Sequence, residues 1–357
     1  MSLKKLRLVA AMSGGVDSAV AAGLLVEAGY DVIGVTMRTY APTRPHHAKS
    51  CCGAEDFDDA RTSATILGIP HYVLDVEEAF ERAVIERFVT AYQKGRTPNP
   101  CVDCNVFIKL GTLSSYARKI GAQSVATGHY ARLEQLDDGP HLFAGDAQKD
   151  QSYALAALTP TQLSSLVLPL GDFDKTHTRA EALRMGLPVS EKAESQDICF
   201  LEGRDYRELL ADGDAPGEFR TSDARSLGTH EGIAHYTVGQ RRGLPANNEN
   251  DGPRYVTRID PHTNTVTIGR EDELFSRGLI AENVNVIRPE RLQGPVRVRA
   301  MTRYRSPLNI AVARIEGKTL TLDFATPERA VAPGQLVALY DERTDEVLAA
   351  ATIREGM

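Results

Sequence analysis

A short apolar run that leads straight into a glycine turn stands near the start of the chain and constrains its fold most. Residues 6–10 predict a buried strand, and residues 16–28, rich in Ala, Leu and Val, predict the helix that follows it. Two glycines in the connection let the backbone approach a ligand with no side chain in between. The connection reads Ala11, Met12, Ser13, Gly14, Gly15, Val16, Asp17 and Ser18. Because the amides and the dipole of a first helical turn favour an anion, the pattern predicts a phosphate site.

This loop is not of the Walker A type, because the Gly-Lys-Ser/Thr ending is missing. The negatively charged Asp17 is better suited to binding a metal ion on a polyphosphate than to contacting the phosphate directly. Ser, Gly and Asp are also common in ordinary strand-to-helix turns, so a lone Ser-Gly-Gly would favour that simpler interpretation. The complete stretch 13–18 resembles the loop of the N-type ATP pyrophosphatases. The resemblance implies ATP and Mg²⁺, with ATP contacts from residues 11–18, Met37 and Gly128.

Strands and helices alternate over the first third of the chain. Strands are predicted at 31–37, 71–76 and 124–130, and helices at 55–67 and 84–94. Such alternation predicts an α/β fold with a doubly wound parallel sheet, in which ligands bind at the C-terminal ends of the strands.

Beyond residue 205, short strands recur up to the C-terminus. They are predicted at 254–268 (a hairpin), 296–302, 309–315, 319–324, 335–340 and 347–353. Their spacing predicts a small C-terminal β-barrel. Because 357 residues are many for a single core, we expect several domains. The expected domains are a catalytic domain at 1–165 to which 193–205 return, a central domain at 166–280 and the barrel at 281–357.

Three cysteines stand in segments that suggest chemistry. Two prolines flank Asn99 and make its segment extended, so that Cys101 and Cys104 open the next helix, where they would share a face. A helix N-terminus lowers the pKa of a thiol and makes it reactive. Cys199 lies in a polar loop, where a single cysteine is more often buried filler than a nucleophile. The presence of Cys101 and Cys104 in another segment favours a chemical role for Cys199.

Composition limits the compartment and the class of protein. Five cysteines, an odd number, fit a reducing cytoplasm. No stretch approaches the ~20 apolar residues of a membrane span, and the first apolar run is too short for a signal peptide. The net charge of −7 argues against a uniformly basic nucleic-acid binder. His46, His47, Cys51 and Cys52 lack the spacing of a recognised zinc site, which favours a solvated loop.

Two polar clusters each have a plain and a functional interpretation. Residues 288–318 carry eight Lys or Arg against two Glu, and Tyr304 lies between Arg303 and Arg305, a pattern typical of RNA contact. A solvated barrel face explains the same charges equally well. The second cluster consists of Lys149, Asp150 and Gln151. It either caps a helix or grips a substrate.

Seven motifs occur in the order found in the bacterial tRNA-specific 2-thiouridylases. They are residues 13–18, 95–105, 127–130, 149–151, 195–200, 238–243 and 303–305. The chain resembles this family over nearly its whole length. The resemblance implies ATP-dependent 2-thiolation of the wobble uridine, U34, in tRNAs of the Lys, Glu and Gln type. The uridine O2 is adenylated before sulfur reaches C2, and AMP and pyrophosphate are released. It also implies a pyrophosphatase domain, a central tRNA-binding domain and a barrel.

The resemblance further implies roles for single residues. Asn99, Pro100 and Cys101 line the pocket of the flipped base, and tRNA contacts come from residues 149–151, Tyr304 and Arg305.

Two routes for the sulfur stay open. In the persulfide route, Cys199 takes sulfur from a cysteine desulfurase or its relay, and Cys104 is the nucleophile that ends in a disulfide with it. Better-known members have Asp where this chain has Cys101, so Cys101, Cys104 and Cys199 could instead hold a [4Fe–4S] cluster. We favour the cluster, because the persulfide route leaves Cys101 without a role.

Two other functions compete with thiolation. A different ligase of the same loop type would form a carbon–nitrogen bond, but no glutaminase-like cysteine arrangement is present to supply ammonia. A non-catalytic, cluster-bearing RNA-binding or redox-sensing protein would have no use for the ATP loop.

Overall fold

The computed structural model describes residues 6–40, 54–146, 148–193, 198–201, 203–210, 215–245 and 252–357. The segment with His46, His47, Cys51 and Cys52 lies outside the described residues, as do residues 195–197 of one motif. The chain forms two compact units. The first consists of Met1–Ile85 and Pro100–Arg204, and the second of Glu86–Asn99 and Asp205–Met357. The division into three domains stays a prediction.

The first unit is built around a parallel sheet. Its strands are β1 (Arg7–Ala11), β2 (Asp31–Arg38), β3 (His71–Asp75), β4 (Ser124–Ala126), β5 (Ala131–Leu136), β6 (Gly139–Ala144) and β7 (Leu166–Val167). The sheet has the order β3-β2-β1-β4-β7 with every pair parallel, while β5 and β6 form a separate hairpin. The predicted α/β fold with a doubly wound parallel sheet is confirmed. Since the strand order reverses beside β1, a crevice is expected between the ends of β1 and β4.

Nine α-helical segments occur in the described residues. They are α1 (Val16–Glu27), α2 (Ala54–Ile66), α3 (Glu77–Phe80), α4 (Glu86–Gln93), α5 (Pro100–Asp103), α6 (Ser114–Lys119), α7 (Ser152–Leu155), α8 (Pro160–Ser164) and α9 (Lys175–Arg184). Within these residues, no helix has both the length and the apolar character needed to cross a membrane. α1 buries Val20 and Ala22 completely, which anchors the helix that follows the glycine turn.

In the described part of the chain, two helical runs contain wider, π-helical turns. Glu81–Ile85 links α3 to α4, and Cys104–Leu113 links α5 to α6. Pro100 begins the second run, a position at which the missing amide hydrogen costs nothing. Because π-helical turns change which side chains share a face, spacing rules for an α-helix do not hold after Cys104.

The second unit contains a four-stranded sheet and a closed barrel. The sheet is made of β8 (Gly217–Arg220), β9 (Ser226–His230), β10 (Tyr255–Asp260) and β11 (Thr265–Gly269). The barrel strands are β12 (Phe275–Val286), β13 (Val296–Met301), β14 (Asn309–Glu316), β15 (Thr319–Arg329), β16 (Leu336–Asp341) and β17 (Val347–Gly356), in the order β12-β15-β14-β13-β16-β17. The predicted barrel is confirmed. Its first strand, β12, was not predicted, because register shifts interrupt its alternation of apolar and polar residues.

Candidate active site

The glycine turn curls around the side chain of Ser18. The Ser13 amide donates to Ser18 Oγ over 3.1 Å, and Ser18 Oγ donates to the Gly15 carbonyl over 3.0 Å. Gly15 precedes α1 in an extended conformation without a side-chain cap. The start of α1 is therefore not closed off by a capping side chain, which is the arrangement that an anion needs.

Two glycines are required by close backbone contacts around this turn. Gly14 has φ +73°, and a Cβ there would lie 2.3 Å from the carbonyl oxygen of Asp56. A Cβ on Gly128 would lie 2.7 Å from the Asp17 carbonyl carbon and 2.8 Å from the Ser18 amide nitrogen. Gly128 follows β4, so this contact brings the end of β4 against the first turn of α1.

The residues predicted to bind ATP all lie at the C-terminal edge of the parallel sheet. Residues 11–18 follow β1, Gly128 follows β4, and the half-buried Met37 is near the end of β2. The structure therefore brings the predicted set to one edge, on both sides of the point where the strand order reverses.

Asp17 is held by two partners that are distant in sequence. Tyr130 Oη donates to Asp17 Oδ1 over 2.6 Å, and Lys175 Nζ donates to the same oxygen over 2.7 Å. Tyr130 Oη also lies 2.9 Å from Thr178 Oγ1. A single carboxylate suffices for a Mg²⁺ ion that is carried mainly by substrate phosphates, so Asp17 fits that role. Sequence reasoning missed Lys175, which belongs to no motif.

Lys192 is a second cation beside the glycine turn. Its Nζ donates to the Gly14 carbonyl over 3.1 Å, to Asp56 Oδ1 over 2.7 Å and to Asp59 Oδ2 over 2.5 Å. These contacts fasten the turn to the start of α2. Lys192 stands three residues before the motif at 195–200, which was the only sequence signal near it.

His129 is a neutral imidazole with a defined tautomer. Its Nε2 lies 3.3 Å from Lys109 Nζ, which can only donate, and its Nδ1 lies 2.7 Å from Thr127 Oγ1. Nε2 is therefore the acceptor, and the proton resides on Nδ1. Burial, and then the charge of Lys109, hold the pKa of His129 well below its usual range.

The three cysteines of interest differ in their surroundings. Cys101 is exposed in α5, and Cys104 is half-buried at the first π-helical position. Cys199, also half-buried, opens a short 3₁₀ turn, and its carbonyl oxygen accepts a hydrogen bond from Tyr40 Oη over 2.8 Å. The adjacent Phe200 ring packs edge-on against the Phe80 ring at 6.0 Å, so the turn is anchored on both sides.

These thiols are not assembled as a metal site. Among the residues that the structure describes, no three His, Cys, Asp or Glu side chains are grouped so that they could hold a metal ion. The arrangement therefore does not fit a ready [4Fe–4S] site, and cluster ligation stays a prediction.

The triplet 149–151 has local structural partners. Asp150 Oδ1 accepts the amides of Gly145 and Ser152, both over 2.9 Å, and its Oδ2 accepts the Ser152 hydroxyl over 2.8 Å. Gln151 exchanges two hydrogen bonds with the backbone of Tyr130. Both side chains thus support the local fold. The residue at the cap position of α7 is Gln151, whose side chain makes no capping hydrogen bond, while Asp150 binds the first helical residue, Ser152. Contact of Lys149, Asp150 and Gln151 with tRNA stays a prediction.

The second unit brings two basic segments together at Ala330. A Cβ on Gly239 would lie 2.8 Å from Ala330 Cβ, and Arg303 Nη2 donates to the Ala330 carbonyl over 3.3 Å. The loop 239–243 carries Arg241 and Arg242, both of which are exposed. Within the same unit, the Arg305 guanidinium lies over the Tyr304 ring at 5.2 Å.

Most other basic residues between 288 and 318 are neutralised by carboxylates. Five of the eight form ion pairs: Arg288 with Glu290 and Glu346, Arg291 with Asp341 and Glu346, Arg297 with Glu342, Arg299 with Asp345, and Arg314 with Asp323. For Arg303, Arg305 and Lys318, the described residues place no carboxylate within ion-pair distance. Two of these three unneutralised charges, those of Arg303 and Arg305, flank Tyr304, and the third is on Lys318.

Family models match consecutive parts of the chain. The tRNA methyl transferase HUP domain matches residues 6–203, the tRNA methyl transferase PRC-barrel domain 210–270, and the aminomethyltransferase beta-barrel domain 276–353. The tRNA-specific 2-thiouridylase MnmA of Leptospira biflexa serovar Patoc is 42% identical over 364 residues, which cover 99% of this chain and 94% of that protein. This chain belongs to the MnmA family.

Other members show the same extent of similarity. MnmA of Pelotomaculum thermopropionicum is 44% identical over 363 residues, and the alignment covers 98% of both chains. MnmA of Moorella thermoacetica is 44% identical over 353 residues, 96% of this chain and 98% of the other. The family predicted from the seven motifs is thus confirmed. A 4-thiouridine synthetase solved with RNA and bound ATP matches 56% of this chain and 46% of its own, at 17% identity and a TM-score of 0.36, which is too weak to inform function.

Proposed function

We propose that this protein is an ATP-dependent tRNA 2-thiouridylase that converts U34 to 2-thiouridine and releases AMP and pyrophosphate. The observation that carries the proposal is the match to MnmA proteins at 42–44% identity along almost the whole chain. The family models are named after methyl transfer, but a loop built for phosphate supports a reaction that consumes ATP.

The first half of the reaction activates the base. A uridine carbonyl oxygen is a poor leaving group, and transfer of AMP onto O2 makes it a good one. The loop amides of residues 13–18 hold the phosphates, and the backbone at Met37 and Gly128 borders the adenosine. Asp17 is the group that would hold Mg²⁺, which neutralises phosphate charge when it is bound. Tyr130 and Lys175 fix the orientation of the Asp17 carboxylate.

The second half delivers sulfur. Cys199 carries a persulfide supplied by a cysteine desulfurase or its relay protein. The terminal sulfur attacks C2, and AMP leaves with the former O2. The Cys104 thiolate then attacks Cys199 Sγ, which breaks the S–S bond, leaves the sulfur on C2 and produces a Cys104–Cys199 disulfide. In a variant of this route, Cys104 attacks first and hydrosulfide is the species that adds to C2. An added reductant restores both thiols.

tRNA is recognised in two places. Asn99, Pro100 and Cys101 form the pocket of the flipped uridine. Arg303, Tyr304 and Arg305, with the exposed arginines of the loop 239–243, contact the tRNA backbone, and Lys149 adds a further contact. We keep the division into a catalytic, a central tRNA-binding and a barrel domain as part of this proposal. A cytoplasmic location would keep the thiols reduced.

Pyrophosphate release, measured with and without unmodified tRNA, tests the proposal against its rivals. A tRNA thiouridylase releases pyrophosphate only when its uridine substrate is present. A carbon–nitrogen ligase would need ammonia and a different acceptor, and a non-catalytic sensor would release none. Pyrophosphate release that does not depend on tRNA would contradict the proposal.

A further inference from the structure

A short segment between α4 and the predicted base pocket is fixed by a turn of the barrel. We call residues 95–98 the lead segment and residues 332–335 the barrel turn; both belong to the second unit. The Thr97 amide donates to the Pro333 carbonyl over 2.7 Å. Gln335 Nε2 donates to the carbonyl oxygens of Thr97 over 3.0 Å and Pro98 over 3.3 Å. The buried amide of Gln335 therefore holds two consecutive carbonyls of the lead segment.

The remaining residues of the lead segment are fixed as well. Arg96 Nη2 donates to Glu282 Oε1 over 2.7 Å and to the Ile353 carbonyl over 3.2 Å. Gly95 has φ +66°, and a Cβ there would lie 2.7 Å from Ile259 Cγ2. Four successive residues without regular secondary structure thus each have a partner in the second unit. A loop that only connects two elements would not need a partner for every residue.

Gly334 sets how closely the barrel turn approaches the lead segment. A Cβ on Gly334 would lie 2.8 Å from the Thr97 amide nitrogen and 2.9 Å from Arg96 Cβ, so any larger residue must displace the segment. Gly317, in another turn of the same barrel, has a similar positive φ, +60° against +92°, but a Cβ there would meet no atom within 4 Å. The chain therefore offers a matched control for this contact.

We propose that Gly334 and Gln335 are positioning residues for the thiolation reaction: through the lead segment they set where Asn99 stands, the residue of the predicted base pocket that belongs to the second unit. The proposal rests on the proposed function. Prolines on both sides of Asn99 restrict its backbone, so a constraint applied at Pro98 is transmitted to Asn99 instead of being absorbed by rotation. The barrel thus holds Asn99 in place in addition to any contact it makes with tRNA.

Two pairs of variants test the proposal in the full-length protein. Gly334→Ala is compared with Gly317→Ala, which also places an alanine at a positive φ but without the contact. Gln335→Ala is compared with Asn309→Ala, which removes side-chain amide hydrogen bonds elsewhere in the barrel: Asn309 Nδ2 donates to the Thr326 carbonyl and to Glu328 Oε2, both over 2.8 Å, and its Oδ1 accepts from Thr326 Oγ1 over 3.0 Å. The measurements are kcat for 2-thiouridine formation at saturating tRNA, the Kd for ATP, and hydrogen exchange of the peptide that contains the Thr97 amide.

Gly334→Ala and Gln335→Ala should lower kcat by roughly ten- to a hundredfold, the cost of a displacement near 1 Å, with the Kd for ATP unchanged. Hydrogen exchange of the Thr97 amide should become faster in Gly334→Ala, and in Gly317→Ala it should stay at the wild-type rate. Equal kcat and exchange in Gly334→Ala and Gly317→Ala, with an active wild type, would overturn the positioning role. A wild type that makes no 2-thiouridine would instead refute the proposed function, and the positioning role with it.

Discussion

At the scale of single residues, Asp17 has the best-defined surroundings in the candidate site. Its Oδ1 receives hydrogen bonds from Tyr130 and Lys175, and it stands in the first turn of the helix behind the glycine turn. These partners lie 113 and 158 residues away in the chain, which is why no sequence pattern predicted them. The role of Asp17 could be predicted because the whole loop motif is contiguous in the sequence. Tyr130 and Lys175, which hold its carboxylate, come from distant parts of the chain.

Asp17→Asn should slow pyrophosphate release by at least about a hundredfold. The change removes the carboxylate that would hold Mg²⁺, and a bound metal ion contributes several kcal/mol to stabilising charge during phosphate transfer. Tyr130→Phe is the control, since it removes one hydrogen bond to Asp17 and keeps the charge. Wild-type rates of pyrophosphate release in Asp17→Asn, with tRNA affinity also unchanged, would show that the loop does not activate ATP.

His129 should make stability depend on pH in a defined direction. Its pKa is lowered in the folded protein, so below about pH 6.5 only the unfolded chain gains the proton. The free energy of unfolding should therefore fall as the pH drops, by at most about 1.4 kcal/mol per pH unit from this residue. The pKa of His71 is also lowered, mainly by burial, and acts in the same direction. Urea unfolding at pH 7.5 and 5.5 should show a smaller loss in His129→Gln than in the wild type; equal losses would contradict the assignment.

At the scale of elements, the parallel sheet and the barrel could be predicted because their periodic patterns are local. β12 could not, since its register shifts break the alternation of buried and exposed positions. The π-helical turns after Cys104 also have no pattern in the sequence. The basic stretch 288–318 was ambiguous from charge alone, because its carboxylate partners, such as Asp341 and Glu346, come from other strands and turns of the barrel.

Arg303→Ala with Arg305→Ala should weaken tRNA binding and lower its salt dependence. For each phosphate that the variant no longer neutralises, roughly one fewer counterion is released, and the slope of log K against log salt becomes shallower. The control is Arg314→Ala with Asp323→Ala, which deletes a neutral ion pair from the same barrel. ATP affinity should stay constant in both proteins. If tRNA affinity and salt slope match those of the control, the stretch is a solvated face of the barrel.

At the scale of the whole molecule, residues 86–99 show how far chain order and spatial grouping diverge. They follow the third strand of the parallel sheet in sequence, yet they form a compact unit with residues 205–357. The stacking of Tyr92 on Tyr206, at 4.6 Å between ring centroids, belongs to this arrangement. No local sequence pattern predicts that residues 86–99 group with residues 205–357, because the grouping depends on contacts between segments more than a hundred residues apart.

The two sulfur routes predict different activities for variants of Cys101, Cys104 and Cys199 in the full-length protein. By the persulfide route, Cys104→Ala and Cys199→Ala abolish 2-thiouridine formation, Cys101→Ala keeps substantial activity, and a Cys104–Cys199 disulfide accumulates after one turnover without reductant. A cluster would instead give brown, iron-containing protein when purified without oxygen, and both colour and activity would be lost in Cys101→Ala. Cys101→Asp is the sharper variant, since full activity without iron would exclude the cluster route.

Locating the sulfur in the product tests the proposed thiolation of U34 without an intermediate step. Purified wild-type protein is incubated with unmodified tRNA, ATP, Mg²⁺ and a sulfur donor, and the tRNA nucleosides and fragments are analysed by mass spectrometry. The proposed reaction yields 2-thiouridine at position 34 and one AMP per sulfur introduced, and Asp17→Asn should form neither. An unmodified uridine at position 34, or a different modified nucleoside formed with ATP consumption, would contradict it.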